Sequence, residues 1–220
     1  MTNPTVTLVL ASASPARKRL LLAAGVEPSI VVSTVDEDAV TASARETYGE
    51  LAPENLALVL ARAKAEDVAA QLGHALVLGC DSVLELDGEI HGKPVDAAEA
   101  IERWSRMSGR SGVLHTGHWL IDTRDSDAGG TGATLGATAS TTVHFARLGP
   151  EEIEAYVATG EPLRVAGAFT IDGLGSPYVA GIEGDPSNVV GLSLPLLREL
   201  LDDLGIAWRT LRSASSARGN

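Results

Sequence analysis

Asp81 follows the apolar run Ala-Leu-Val-Leu-Gly (75–79) and lies between Cys80 and Ser82, small residues that leave room around a carboxylate. An aspartate at a strand end can hold a divalent cation, act as a general base or cap a turn. Glu37, in the Val-Asp-Glu-Asp stretch 35–38, offers a second carboxylate after another apolar segment. Two carboxylates from different strand ends make a minimal site for a hard cation such as Mg²⁺, with phosphate oxygens and water as the remaining ligands. The stretch ASASPARKRLL, residues 11–21, puts Arg17, Lys18 and Arg19 at the start of a helix. A helix N-terminus already carries about half a positive charge, so the cluster calls for an anion. The small residues Ala11 to Ser14 would let a phosphate approach the backbone, where helix N–H groups and the Ser12 and Ser14 hydroxyls can point at it. The alternative is an exposed basic turn paired with nearby carboxylates. Successive residues turn by about 100°, so one or two of the three cations can share an anion. Lys64 stands in line with Leu56, Leu60 and Val68 on an apolar helix stripe, and there either snorkels to water or meets an anion. Lys93 sits between Gly92 and Pro94, which restrict the chain; it is either a site cation or an ordinary surface lysine.

Composition narrows the chemistry. The chain has 220 residues, 45% of them hydrophobic, enough for a sizeable core. Acidic residues outnumber basic ones, 29 to 17, for a net charge of −12. Nucleic-acid binding needs a basic face, so it is not expected as the main task. Cys80 is the only cysteine, so no internal disulfide forms. The N-terminal segment has no Lys or Arg before its apolar part and does not fit a signal peptide, and no apolar run approaches the roughly 20 residues of a bilayer span. The expected compartment is the cytoplasm, without membrane association.

The elements that must position these groups follow from periodicity and caps. Residues 5–10 read as a buried strand, and Ser14 and Pro15 open a helix that stops at Gly25. Residues 28–40 read as a second strand running into an acidic segment. A helix spans 53–73, then a buried strand broken at Gly79 leads to a hairpin turning at Asp87-Gly88. Further helices are predicted over 96–107 and 150–158, and a closing helix capped by Ser193. Two strands within 111–147 are joined by a Gly- and Thr-rich loop, expected to be mobile and not a site. The order implies an α/β fold with a mixed sheet, bent into two lobes around a cleft. One domain is expected over 1–208, with 209–220 as a frayed tail.

Other signals carry less. His115 and His118 are three apart on a strand and point to opposite faces, which disfavours a shared metal. Cys80 reads as a packing residue, although its place beside Asp81 could make activity sensitive to thiol reagents. Trp104, Trp119 and Trp208 read as core or interface residues.

Together, the ordered motifs S-x-S-P-x-R, V-D-E, A-R-A-K-A, G-C-D-S, G-K-P, S-G-R, E-A-Y-V-A-T-G-E-P, A-G-A-F-T-I-D-G-L-G and S-N-V-V-G-L-S-L-P resemble the Maf family of nucleoside triphosphate pyrophosphatases from about residue 6 to 204. The resemblance implies a Maf/inosine triphosphatase-like fold, a divalent metal (Mg²⁺ or Mn²⁺) and hydrolysis of a nucleoside triphosphate to monophosphate and pyrophosphate. Homodimers occur in the family, and a role in septum formation has been discussed for members. Carried over by position, Asp81 matches the family's proton acceptor and Glu37 a charged residue facing the cleft, and these two carboxylates are the expected ligands of the metal. Ser12, Ser14 and Arg17 match the phosphate-binding loop, while Lys64 and Lys93 match charged residues facing the cleft. The chain departs from the dTTP- and UTP-hydrolysing subgroup at Ala16, Ser82 and Asp172, positions tied to base choice. Val165 replaces a lysine, with Arg164 one residue earlier. The alternative is a non-catalytic nucleotide-binding regulator of cell division, for which a water-activating carboxylate beside the phosphates has no use.

Overall fold

The β-branched run near the N-terminus becomes strand β1 (Leu8–Leu10), buried throughout. The computed structural model describes residues 6–211. Strands β2 (Ser29–Ile30) and β3 (Leu76–Leu86) run parallel to β1 on either side. Beyond β3 the pairing is antiparallel. Strand β4 (Glu89–His91) folds back on β3, β5 (Ser111–Asp122) pairs with it from Leu76 to Glu85, and β6 (Thr134–Phe145) and β7 (Val179–Glu183) follow in turn. The result is a mixed, open seven-stranded sheet ordered β2-β1-β3-β5-β6-β7, with β4 off β3. The β3–β4 turn is Asp87-Gly88, both at positive φ (57° and 78°), the conformation a two-residue hairpin requires.

Helices flank the sheet. Ser14 caps α1 (Pro15–Ala23), with Pro15 as its first residue. Then come α2 (Glu37–Tyr48), α3 (Pro53–Gln71), α4 (Ala97–Met107), α5 (Pro150–Ala158), α6 (Pro186–Val190) and α7 (Leu194–Asp203). As expected from the sequence, Ser193 caps α7, its hydroxyl accepting the Leu196 N–H.

Two elements differ from the sequence expectation. The second strand stops at Ile30, and the acidic segment opens α2: Asp36 accepts the Ala39 N–H at 3.0 Å, while Glu37 and Asp38 face the positive end of the helix dipole. Strand β3 also runs unbroken through Gly79. That glycine is there because α3 lies directly on the sheet. A Cβ at Gly79 would come 2.1 Å from the Ala61 carbonyl oxygen, and one at Gly117 on β5 would come 2.3 Å from that of Ala57. Ala57, Ala61 and Ala65, one α-turn apart and fully buried, thus form the α3 stripe that meets these glycines. This close approach brings Lys64 over β3.

The core divides into patches. Leu8, Leu10, Leu76 and Leu78 pack with Leu21 of α1 and Leu197 and Leu201 of α7. At the other end, Leu84, Phe145, Phe169 and Tyr156 surround Trp104, whose indole N–H donates to the Ala168 carbonyl at 2.8 Å. Trp119 is half-buried under the Arg62 guanidinium. The joint between β5 and β6 is tied at its base: Asp122 accepts hydrogen bonds from the Arg124 side chain and from the N–H and hydroxyl of Thr131. Burial opposes ionisation of Asp122, but these bonds outweigh it and hold its carboxyl down at about 2. Of the expected tail, residues 212–220 lie outside the described residues, and Leu211 packs in the core.

Candidate active site

A cavity of about 800 Å³ opens where the chain leaves β1, alongside the middle of β3. The residues expected to bind substrate, hold a metal, act as base or tune base choice all line it: Ser12, Ser14, Ala16, Arg17, Glu37, Lys64, Asp81, Ser82, Lys93 and Asp172. These come from six separate segments of the chain.

The loop after β1 is built by its own serines. Ser12 Oγ accepts the Ser14 N–H and an Arg17 Nη1 hydrogen, each at 3.1 Å, and Ser14 Oγ accepts the Arg17 N–H at 3.4 Å. Arg17 turns inward and is buried. Its Nε donates to the Gly191 carbonyl at 2.6 Å, Nη1 also to the Cys80 carbonyl at 2.9 Å, and Nη2 to Ser82 Oγ at 3.1 Å. Ser82 Oγ in turn shares a hydrogen bond with Thr116 Oγ1 at 2.9 Å. All four acceptors of the guanidinium are neutral. Its charge is held rigidly and left uncompensated by any carboxylate within 4.0 Å among the described residues.

Lys64 reaches from α3 into a pair of carboxylates. Its Nζ lies 2.7 Å from Glu37 Oε1 and hydrogen-bonds Asp81 Oδ1. Of the two readings open for this lysine, the anion-meeting one holds, and the anions are carboxylates of the chain itself. Asp81 is buried, and burial pushes its carboxyl above the usual range even though Lys64 and Arg17 pull it down. Burial acts on Glu37 in the same direction but is outweighed by Lys64, Lys93 and Arg17, so its carboxyl lies below the usual range. One cation between the two carboxylates shows that both can serve a single positive centre. Among the described residues, no group of three or more His, Cys, Asp or Glu could hold a metal. Glu37 and Asp81 are hard oxygen donors, the chemistry a hard divalent ion takes when phosphate oxygens and water make up its remaining ligands.

The far wall was less legible. Arg19 joins the cavity by an exposed ion pair with Asp172 at 3.3 Å, whereas Lys18 does not line it. Glu161, Arg164, Thr170 and Gly173 complete that wall. Two of the few large apolar side chains left exposed, Val32 and Leu174, also line the cavity. Glu161 falls within the motif E-A-Y-V-A-T-G-E-P, but no part in the site was expected of it from the sequence. Cys80 does not open into the site: it is fully buried, burial pushes its thiol up to about 12, and thiol reagents have no access to it. The histidines take structural parts on opposite faces of β5. His118 Nε2 accepts the Ser193 N–H at 2.8 Å, and His115 lies between Glu85 and Ser140.

The model of the Maf-like protein family matches residues 7–204. This chain belongs to the Maf family. All the cavity residues named above fall inside the Maf match. Among curated relatives, a nucleoside triphosphate pyrophosphatase of Salinispora tropica is 57% identical over 204 residues, covering 90% of this chain and 84% of its own. A protein of the same name from Streptomyces coelicolor is 55% identical, with 92% and 93% covered. Another Maf relative so named, from Leifsonia xyli, is 52% identical, with 93% and 95% covered.

Proposed function

We infer that this Maf-like chain is a nucleoside triphosphate pyrophosphatase, which cleaves a nucleoside triphosphate to the monophosphate and pyrophosphate, and that Asp81 is its general base. The observation that carries the assignment of roles is the convergence of a buried carboxylate, a lysine and an uncompensated buried guanidinium in one cavity at the start of α1. Asp81 Oδ1 is taken by Lys64, while Oδ2 makes no hydrogen bond among the described residues. Burial, which pushes its carboxyl above the usual range, makes Asp81 a better proton acceptor than an exposed aspartate. Water, giving its proton to Asp81, attacks the α-phosphorus. The bond from that phosphorus to the α–β bridging oxygen breaks, and pyrophosphate leaves with the electron pair.

Arg17, Lys64, Lys93 and the N–H groups opening α1 offset phosphate charge, with Ser12 and Ser14 shaping that loop. Glu37 and Asp81 are the residues that would hold Mg²⁺ or Mn²⁺. Such an ion, once bound, supplies charge neutralisation and polarises the phosphoryl oxygens. The exposed apolar surfaces of Val32 and Leu174, with Ala16 and Asp172, are assigned to the nucleoside end. Separate core patches at the two ends of the sheet support reading the fold as two lobes flanking the cleft.

Product analysis tests this reading. With Mg²⁺ or Mn²⁺, a panel of common and modified nucleoside triphosphates is expected to yield monophosphate and pyrophosphate in equal amounts, and excess chelator to abolish release. Orthophosphate as the first product would overturn the reaction, and tight binding without turnover would favour the regulator reading.

A further inference from the structure

Glu161 sits in the cavity wall just beyond α5, and its carboxylate is taken up by the loop 170–175 and by Tyr156 of α5. Oε1 accepts from the Tyr156 hydroxyl at 3.0 Å, the Thr170 hydroxyl at 2.6 Å and the Gly175 N–H at 2.9 Å. Oε2 accepts the Leu174 N–H at 3.0 Å. Thr170 Oγ1 also accepts the Gly175 N–H at 3.2 Å, closing the ring. Burial works against the charge on Glu161, but these donors outweigh it and hold the carboxyl below its usual range.

The loop is moulded on this carboxylate without slack. A Cβ at Gly173 would come 2.5 Å from Glu161 Oε2, and one at Gly175 would come 2.3 Å from the Tyr156 hydroxyl oxygen. Both glycines are therefore explained by contact with the clamp. What the clamp presents is cavity wall: Asp172, Gly173 and Leu174 all line the space, and Asp172 reaches across to Arg19 of α1. None of the hydrogen-bond partners of Glu161 is among the partners of Arg17, Lys64 or Asp81. The clamp and the phosphate-facing charges are thus separate networks in one cavity.

We propose that Glu161 is a positioning residue that fixes the loop 170–175 as the nucleoside-facing wall, governing how tightly the nucleoside is held and leaving the phosphoryl chemistry alone. The proposal rests on the reading of the cavity as a nucleoside triphosphate site. Glu161→Gln keeps the size of the side chain but turns one acceptor into a donor facing the loop's own donors. KM for the triphosphate is expected to rise roughly tenfold or more, kcat to stay within about threefold, and inhibition by inorganic tripolyphosphate, which has no nucleoside, to be unchanged. Thr170→Val and Tyr156→Phe each remove one donor and leave the carboxylate. They keep the test open if Glu161→Gln does not fold, and each is expected to raise KM about two- to fivefold with the tripolyphosphate constant unmoved. A kcat loss at constant KM, an equal weakening of tripolyphosphate and triphosphate, or an unchanged KM in these variants would overturn the proposal. A parent protein that neither cleaves triphosphates nor binds tripolyphosphate would instead overturn the reading of the cavity, and the proposal with it.

Discussion

Asp81→Asn is expected to slow pyrophosphate release by about 10²- to 10⁴-fold, the usual contribution of a general base, while the protein folds as well as the parent. Asparagine keeps the shape and an oxygen for the Lys64 ammonium, but it does not accept the proton of the attacking water. Stability is not expected to fall, because burial pushes the Asp81 carboxyl up and its charged form therefore costs folding energy. A melting temperature equal to or above that of the parent, beside a collapsed kcat, is the signature of a site whose charge is kept for chemistry. The parent's kcat/KM should also fall with decreasing pH as Asp81 takes up a proton, and that limb should vanish in the variant. Parental rates of pyrophosphate release from Asp81→Asn would remove Asp81 from the mechanism.

Arg17→Lys is expected to be far from conservative, lowering kcat/KM by about 100-fold or more and stability by about 2–4 kcal/mol. The guanidinium satisfies the Gly191 and Cys80 carbonyls and the Ser12 and Ser82 hydroxyls, which belong to the loop after β1, strand β3 and the turn after α6. An ammonium has three donors at one point and does not span these acceptors, so buried carbonyls lose their partners. The lost fork also releases the loop whose serines and N–H groups face the phosphates. Denaturant unfolding together with steady-state kinetics checks both effects; near-parental values in both would make the guanidinium dispensable.

The sequence announced individual charges more clearly than their partnership. The strand, small-residue loop and capped helix around residues 8–23 were legible because Ser14 and Pro15 act locally. The stripe of Leu56, Leu60 and Val68 fixed α3 by its period, and Asp-Gly fixed the hairpin. Helix α2 was missed because it buries little besides Ala44, so its hydrophobic period is faint. Its cue was the Asp36 cap followed by two acids. Gly79 was misread as a break because a glycine in a strand marks either a bend or a close approach, and the Ala61 backbone that decides between them is distant in sequence. Arg17 was legible as important, but the neutral acceptors that orient it come from residues 12, 80, 82 and 191. Glu161 was hardest, since its four donors are ordinary groups that only the folded loop brings together.

The central claim is that water attacks the α-phosphorus with Asp81 as its base. Hydrolysis in ¹⁸O-enriched water, followed by mass spectrometry of both products, tests it most directly. One ¹⁸O atom is expected in the nucleoside monophosphate and none in the pyrophosphate. Label in pyrophosphate, or in released orthophosphate, would place the attack at another phosphorus and contradict the account.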